Sequence, residues 1–319
     1  MIDFRYYLVS IVSIFLALAV GIVLGAGPLK GDIGAGLTEQ LAALRVEKTQ
    51  LRANLGMAQK DATARDTYST EVAPAALKGR LAGKTIALVV APDVDGGLTK
   101  NVTAALVEAG AKVGCTVVLT DSWADPSKII LRNTVASPFA ALARTPGVVG
   151  NPDLLAGTVL ARAVLGAADQ STLHPSALAS AALSGLSAGA LINVTPEPIV
   201  PSSSVVFLGG SVTGSSPQDA NVRLAAYVRL ARTLGAAGSG VVVAAESNTV
   251  DATKSANLVA AVRQDSVAVK VISTVDDADL PMGQGTVVLA LAQEYLGITG
   301  QYGLADDAKA IVPDLTARP

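Results

Sequence analysis

The chain has 319 residues, of which 50% are hydrophobic, only 3% aromatic and 16% charged, with a formal net charge of −2. That balance gives no electrostatic case for nucleic acid or an anionic membrane surface as a partner. A single cysteine, Cys115, excludes an internal disulfide and leaves the compartment to be argued from topology.

From Leu8 to Leu24 the chain reads LVSIVSIFLALAVGIVL, without a charge. As a helix, Tyr6 to Ala26 would span about 32 Å, close to the ~30 Å of a hydrocarbon core. Phe4, Tyr6 and Tyr7 cluster at its N-terminal edge, where aromatic rings favour the interface. A cleavable signal peptide is the competing reading. Against it, Asp3 offsets Arg5 and no A-x-A site follows the apolar run. Gly25-Ala26-Gly27-Pro28 instead reads as a helix terminus, since proline cannot continue the ladder. An uncleaved anchor over 1–28 is expected. Arg5 and the α-amine nearly balance Lys30 across it, and long C-terminal domains translocate largely regardless of charge. The simpler topology leaves the N-terminus cytoplasmic and the C-terminal domain extracytoplasmic. Ser13, Ala17, Gly21 and Gly25 recur every four residues, and small residues at that spacing let two helices approach closely. In alanine-rich spans the same match also arises by chance.

A stalk is expected over 29–70. With Leu44 at heptad position d, the d positions read Leu37, Leu44, Leu51 and Ala58, and the a positions Leu41, Lys48, Leu55 and Ala62. Glu47 at g and Arg52 at the following e have the spacing of an interhelical ion pair in a parallel dimer, and Lys48 at a restricts register. Gly56 at e weakens the helix by about 1 kcal/mol relative to alanine. The alternative is one amphipathic helix lying on its own domain; two pairing signals in series favour a parallel homodimer. The pattern is lost from Thr63 to Pro74, and 71–83 reads as a linker.

An α/β domain is expected over 84–304, with a tail over 305–319. KTIALVVA has strand length and is followed by the loop PDVDGG, a helix from Thr99 to Ala109 and the strand KVGCTVVLT. SSVVFLGG, a helix from Pro217 to Leu234, GVVVAA, a helix from Asp251 to Arg263 and VAVKVIS repeat the alternation. Fully apolar strands alternating with helices imply a mainly parallel, Rossmann-like sheet covered on both faces. Pro126 to Leu186 reads as mostly helical, punctuated by Pro138, Pro146, Pro152 and Pro175; Asn193 to Ser204 reads as loop. Thr286 to Leu296 fits a strand or a helix.

In such sheets ligands sit at the carboxyl ends of strands, where Asp93, Asp95, Gly209, Gly210 and Ser211 fall. GGSVTG lacks the G-x-G-x-x-G spacing and, with Thr213 in place of the second glycine, also fails as a nucleophile elbow. The lone His174, followed by Pro175, fits a surface or capping role better than catalysis. No catalytic residues and no cofactor are assigned. Asp276, Asp277 and Asp279 could attract a hard cation, but a solvated loop explains them better, because three carboxylates alone leave a calcium ion short of ligands. Copper(I) favours thiolate and thioether ligands; Cys115, Met1, Met57, Met282 and His174 form no C-x-x-C, H-x-H or Met-rich run. The metal ligands stay unknown.

The opening MIDFRYYLVSIVSIFLALAVGIVLGAGPL resembles the start of the actinobacterial copper transporter family typified by mycobacterial copper transport protein B. GQGTVVLALAQEYLGITGQYG is similar to that family's C-terminal signature. The resemblance covers nearly the whole chain. It implies a role in copper efflux and low intracellular copper, with the domain outside the cytoplasmic membrane; other similar proteins are partners in cell separation. Copper enters through this resemblance alone. One span cannot enclose a pore, and the domain offers no alternating lipid-facing strands for a barrel. Two expectations result: a transport component supporting copper export, or a non-catalytic dimeric envelope scaffold that recruits a protein partner through stalk and domain.

Overall fold

The computed structural model describes residues 4–26, 29–143, 151–165, 176–195, 199–247 and 256–314. The chain divides into two compact units, Met1–Arg65 and Asp66–Pro319.

The first unit holds helix α1 (Phe4–Ala26) and most of helix α2 (Leu29–Leu77). Every large apolar side chain of α1 from Leu8 to Leu24 is at least half exposed. Among the described residues, Arg5–Gly25 is the one helical stretch long and apolar enough to cross a membrane by length and composition. Within it, Ser13 Oγ donates to the Val9 carbonyl at 2.8 Å. Helix α2 has 49 residues, a rise of about 74 Å.

The helix continues where a linker was expected. Residues 71–77 of the expected 71–83 linker, and the patternless stretch before them, belong to α2. Losing an apolar stripe removes a packing partner but not the backbone ladder, and Gln59 to Leu77 contains no glycine to weaken it. Thr63 and Thr70 return their hydroxyls to the carbonyls four residues back. Pro74 falls in the last turn, where one lost ladder bond is tolerated. The remaining residues are no free tether either: Leu77 and Leu81 are buried, and Leu81 N–H donates to the Ala109 carbonyl at 3.0 Å.

The second unit is α/β. Its strands are β1 (Thr85–Val90), β2 (Lys112–Leu119), β3 (Ile192–Thr195), β4 (Ser204–Leu208), β5 (Ser211–Val212), β6 (Val241–Ala244), β7 (Ala256–Asn257), β8 (Ser273–Val275) and β9 (Gln301–Tyr302). Seven of them form a sheet in the order β3-β2-β1-β4-β6-β8-β9; β5 and β7 form a separate antiparallel ribbon. Within the large sheet β3 runs antiparallel to β2 and all other pairs are parallel. The helices are α3 (Gly96–Glu108), α4 (Asp121–Ala124), α5 (Ile129–Ala136), α6 (Pro152–Val164), α7 (Ala177–Ala188), α8 (Pro217–Ala237), α9 (Leu258–Gln264) and α10 (Pro281–Glu294).

Period-two alternation sorts the strand side chains between two cores. Ala87, Val89, Val117, Val205, Phe207 and Val243 pack with α6, α7, α8 and α9. Ile86, Leu88, Val206, Leu208 and Val242 pack with α3, α10 and the end of α2. Both faces are covered, which is why the strands read as continuous apolar runs. Gly110 ends α3 with φ +90°, a conformation that a Cβ would penalise, and a Cβ there would press on Ala82.

Several boundaries differ from expectation. The ambiguous 286–296 segment is helix α10, carrying one buried face of Val287, Val288 and Leu291. Residues 192–195, assigned mostly to loop, form the edge strand β3, too short to show a period. The strand expected at 267–273 is instead a 3-10 turn over Ala268–Lys270, with β8 beginning only at Ser273; the helix expected from Asp251 begins at Leu258, capped by Asn257, and residues 251–255 lie outside the described ones. The described part of the expected 305–319 tail is bonded to the domain, with Gly303 N–H donating to Ala310 and Gln293 Nε2 to the Asp314 carbonyl.

Candidate functional site

Strand order reverses direction between β1 and β4: β2 lies to one side of β1, and the later strands to the other. Open α/β sheets leave a crevice outside the carboxyl ends of the strands at such a point. Here that crevice is a cleft of about 320 Å³, lined by Asp93 after β1, Asp121 after β2, Thr213 and Ser215 after β4, and Asp219, Arg223 and Tyr227 on α8. The last three recur every fourth residue, so one helix face delivers them together.

Of the five residues expected at this end, Asp93 lines the cleft. Asp95 is spent on structure: its carboxylate accepts from Gly97 N–H at 2.7 Å and Leu98 N–H at 3.3 Å, capping α3. Gly209 admits the Leu258 side chain, which a Cβ would overlap, and its N–H donates to the Ala244 carbonyl. The Gly210 carbonyl accepts from Leu258 N–H, and Ser211 pairs with Asn257 in the ribbon. Asp121, Asp219, Arg223 and Tyr227 were missed. The four-residue spacing on α8 was the available signal.

The electrostatics of the cleft are acidic. Asp219 accepts from Ser215 N–H at 2.9 Å and from Arg223 Nε at 3.2 Å. The Ser215 amide, followed by Arg223, holds its carboxyl below the usual carboxylate range. Burial pushes the Tyr227 phenol up, and Asp93 and Asp121 push it further, so the hydroxyl stays protonated. Two helix N-termini beside the cleft are taken by the chain's own groups: Asp95 caps α3, and Ser216 with Asp219 closes the start of α8. A phosphate would compete with those carboxylates, which removes the usual anion site of such folds.

The acidic turn is a correction. Asp276 and Asp277 are buried, not solvated. Arg263 accounts for Asp276, with Nη2 at 2.7 Å from its carboxylate; the same guanidinium reaches Asp307, Thr274 and the Tyr302 carbonyl. Asp279 turns away to accept from the Ser247 amide and hydroxyl at 2.6 and 2.7 Å. Among the described residues, neither carboxylate oxygen of Asp277 has a hydrogen-bond partner. Among the described residues no group of three or more His, Cys, Asp or Glu side chains could hold a metal ion. Soft donors are dispersed too. Cys115 is buried, with its thiol pushed up to about 12 by desolvation, so at neutral pH it is a thiol, not the thiolate that copper(I) prefers. Met57 is exposed on α2 and Met282 opens α10; His174 and Met1 lie outside the described residues.

The opposite end of the sheet differs in sign. A second cavity of about 310 Å³ is lined by Lys78, Arg80, Lys84 and Tyr295. Lys84 Nζ stands 4.3 Å from the Tyr295 ring centroid, and the Tyr295 hydroxyl bonds Ser203 and Ser204 at 2.8 and 2.6 Å.

The expected pairing surfaces in the first unit are open. A Cβ on Gly21 or Gly25 would meet nothing within 4 Å, so the small-residue face with Ser13 and Ala17 is unobstructed. On α2, Leu44, Lys48, Leu51 and Leu55 line one shallow groove together with Glu47 and Arg52. Leu37 and Leu41 are likewise exposed, at 61% and 46%.

The family model described as "Copper transport outer membrane protein, MctB" matches residues 1–313. Curated relatives named "Copper transporter MctB" include one from Mycobacterium tuberculosis, 28% identical over 324 residues, covering 98% of this chain and 99% of the relative. Another, from Mycobacterium leprae, is 26% identical over the same coverage.

Proposed function

The chain belongs to the MctB family of copper transport proteins, and from that premise we propose that it is a membrane-anchored envelope component supporting copper efflux. In this reading α1 crosses the cytoplasmic membrane with its N-terminus inside, and the α/β unit lies outside. Two chains pair in parallel through the small-residue face of α1 and a coiled coil on α2. The observation that carries the reading is the exposed apolar surface of the first unit: a bilayer-length helix followed by a leucine face with Glu47 and Arg52 at interhelical spacing.

Deleting the gene in the producing organism tests the transport role. Copper hypersensitivity with raised cell copper is expected. A second reading, a non-catalytic scaffold that recruits an envelope protein, draws support from the dispersed soft donors and the protonated, buried Cys115. It predicts chained or misshapen cells with normal copper, which would overturn the transport role. Pairing is tested separately. Replacing Leu44 and Leu51 together by aspartate should abolish cross-linking of the full chain in membranes; unchanged cross-linking sinks the coiled coil. Protease digestion of intact spheroplasts should remove the α/β unit, and full protection would place it inside.

A further inference from the structure

We propose that the cleft at the carboxyl ends of β1, β2 and β4 binds a small organic molecule through a primary ammonium group, held by Asp93 and Asp121 and hydrogen-bonded to the Tyr227 hydroxyl. The inference is independent of the copper reading and assigns a ligand to the α/β unit itself.

Tyr227 carries the argument furthest. Its side chain is 95% buried, at 5% exposure, with the ring edge-on to Phe207 at 6.3 Å, yet its hydroxyl has no hydrogen-bond partner among the described residues. A phenol that lines the cleft without a protein partner leaves a hydrogen-bonding position open to a ligand atom. The two nearest acidic groups, Asp93 and Asp121, also have no hydrogen-bond or ion-pair partner there, whereas Asp219 is matched by Arg223 and Ser215. The cleft therefore offers two unmatched negative charges around a neutral phenol.

Three classes of ligand can be compared. Anions meet carboxylates at both helix starts and on the rim. A bare metal ion finds no group of donors close enough, and a cavity of about 320 Å³ is some tenfold larger than the ~30 Å³ of one water. An organic ammonium fits both charge and size: its N–H groups make charge-assisted bonds to carboxylates, and the phenol oxygen accepts another. Thr213 and Ser215 then face the body of the molecule with hydroxyls.

Calorimetric titration of the full chain in detergent micelles with 1,4-diaminobutane tests the proposal. Saturable uptake of one equivalent is expected at neutral pH. Asp93→Asn combined with Asp121→Asn should weaken it about tenfold or more, and Tyr227→Phe, which keeps the ring packing, by about three- to tenfold. Both aspartates are exposed, so the double variant should keep the wild-type melting transition; if it does not, Asp121→Asn alone is read instead. No saturable uptake at millimolar diamine, undiminished uptake by these variants, or displacement by equimolar magnesium chloride or inorganic phosphate each overturns it.

Discussion

Leu44 and Leu51 on α2 are 62% and 60% exposed, whereas Leu88 in β1 and Leu106 in α3 are fully buried. The residue type is the same, and the difference is where its packing partner comes from. In the α/β unit these two leucines find their partners within the chain, because two layers of helices cover the sheet. In the first unit the partners must come from outside: acyl chains for α1 and, in the proposed dimer, a second copy for α2. Burial of a leucine side chain stabilises by about 1.5–3 kcal/mol, which in the proposed arrangement the first unit would gain only on anchoring and pairing. Substitutions should therefore act on assembly in one unit and on folding in the other.

The largest effect is expected in α1. Replacing Leu16 and Leu18 by arginine puts two charges at mid-span, costing about 5–7 kcal/mol of insertion free energy. The protein should move from the membrane pellet to the soluble fraction after carbonate extraction. Retention in the pellet would remove α1 as the anchor. In the α/β unit, Phe207→Ala empties the centre of β4, where the ring is fully buried against Tyr227. A loss of about 3–5 kcal/mol is expected in denaturant unfolding, with membrane association unchanged. A loss under 1 kcal/mol would mean that the core does not depend on it.

A smaller effect should follow pH. Burial, and next the Asp276 charge, push the Asp277 carboxyl from 3.8 up to about 6. Its folded-state affinity for the proton is thus raised, so the protonated form favours folding. That contribution is complete below about pH 4 and is lost as pH rises through 6, a difference of about 3 kcal/mol. Glu294, pushed up to about 7 by burial, acts in the same direction over a slightly higher window. Unfolding titrations at pH 4 and pH 6.5 should show the α/β unit weaker at the higher value, with Asp277→Asn removing most of the Asp277 share. An unaltered slope in that variant would show that Asp277 is charged throughout.

The two units were also unequally legible. The helical period of α1 and the leucine face of α2 lie within short windows, as do the apolar runs of β1, β2, β4 and β6, so local pattern was enough for them. The end of α2 was lost because polar, alanine-rich helix has no stripe to read, and β3 and β8 because four or three residues cannot display a period. The cleft was half legible. Asp93 follows from strand ends, but Asp121 and Tyr227 meet it only through strand order, which no local window contains. Asp276 and Asp277 read as solvent-facing by residue type; their burial depends on Arg263 and on Gly283, where a Cβ would overlap the Asp277 carbonyl.

The smallest effect separates the units most cleanly. Gly56 sits mid-helix in α2, and a Cβ there would meet nothing within 4 Å. Gly56→Ala should therefore add about 1 kcal/mol of helix stability without a steric cost. In an isolated helix that gain is local. Where the stalk helix is held only by pairing, each chain contributes that gain, and position e flanks the seam without entering it, so the dimer gains about 2 kcal/mol and dissociates about thirtyfold less. Analytical ultracentrifugation of the full chain in detergent should show the dimer persisting to lower concentration, while the α/β unit unfolds at the same denaturant midpoint. A shifted α/β midpoint with unchanged self-association would mean that α2 packs on its own chain, the opposite of what its exposed leucines indicate.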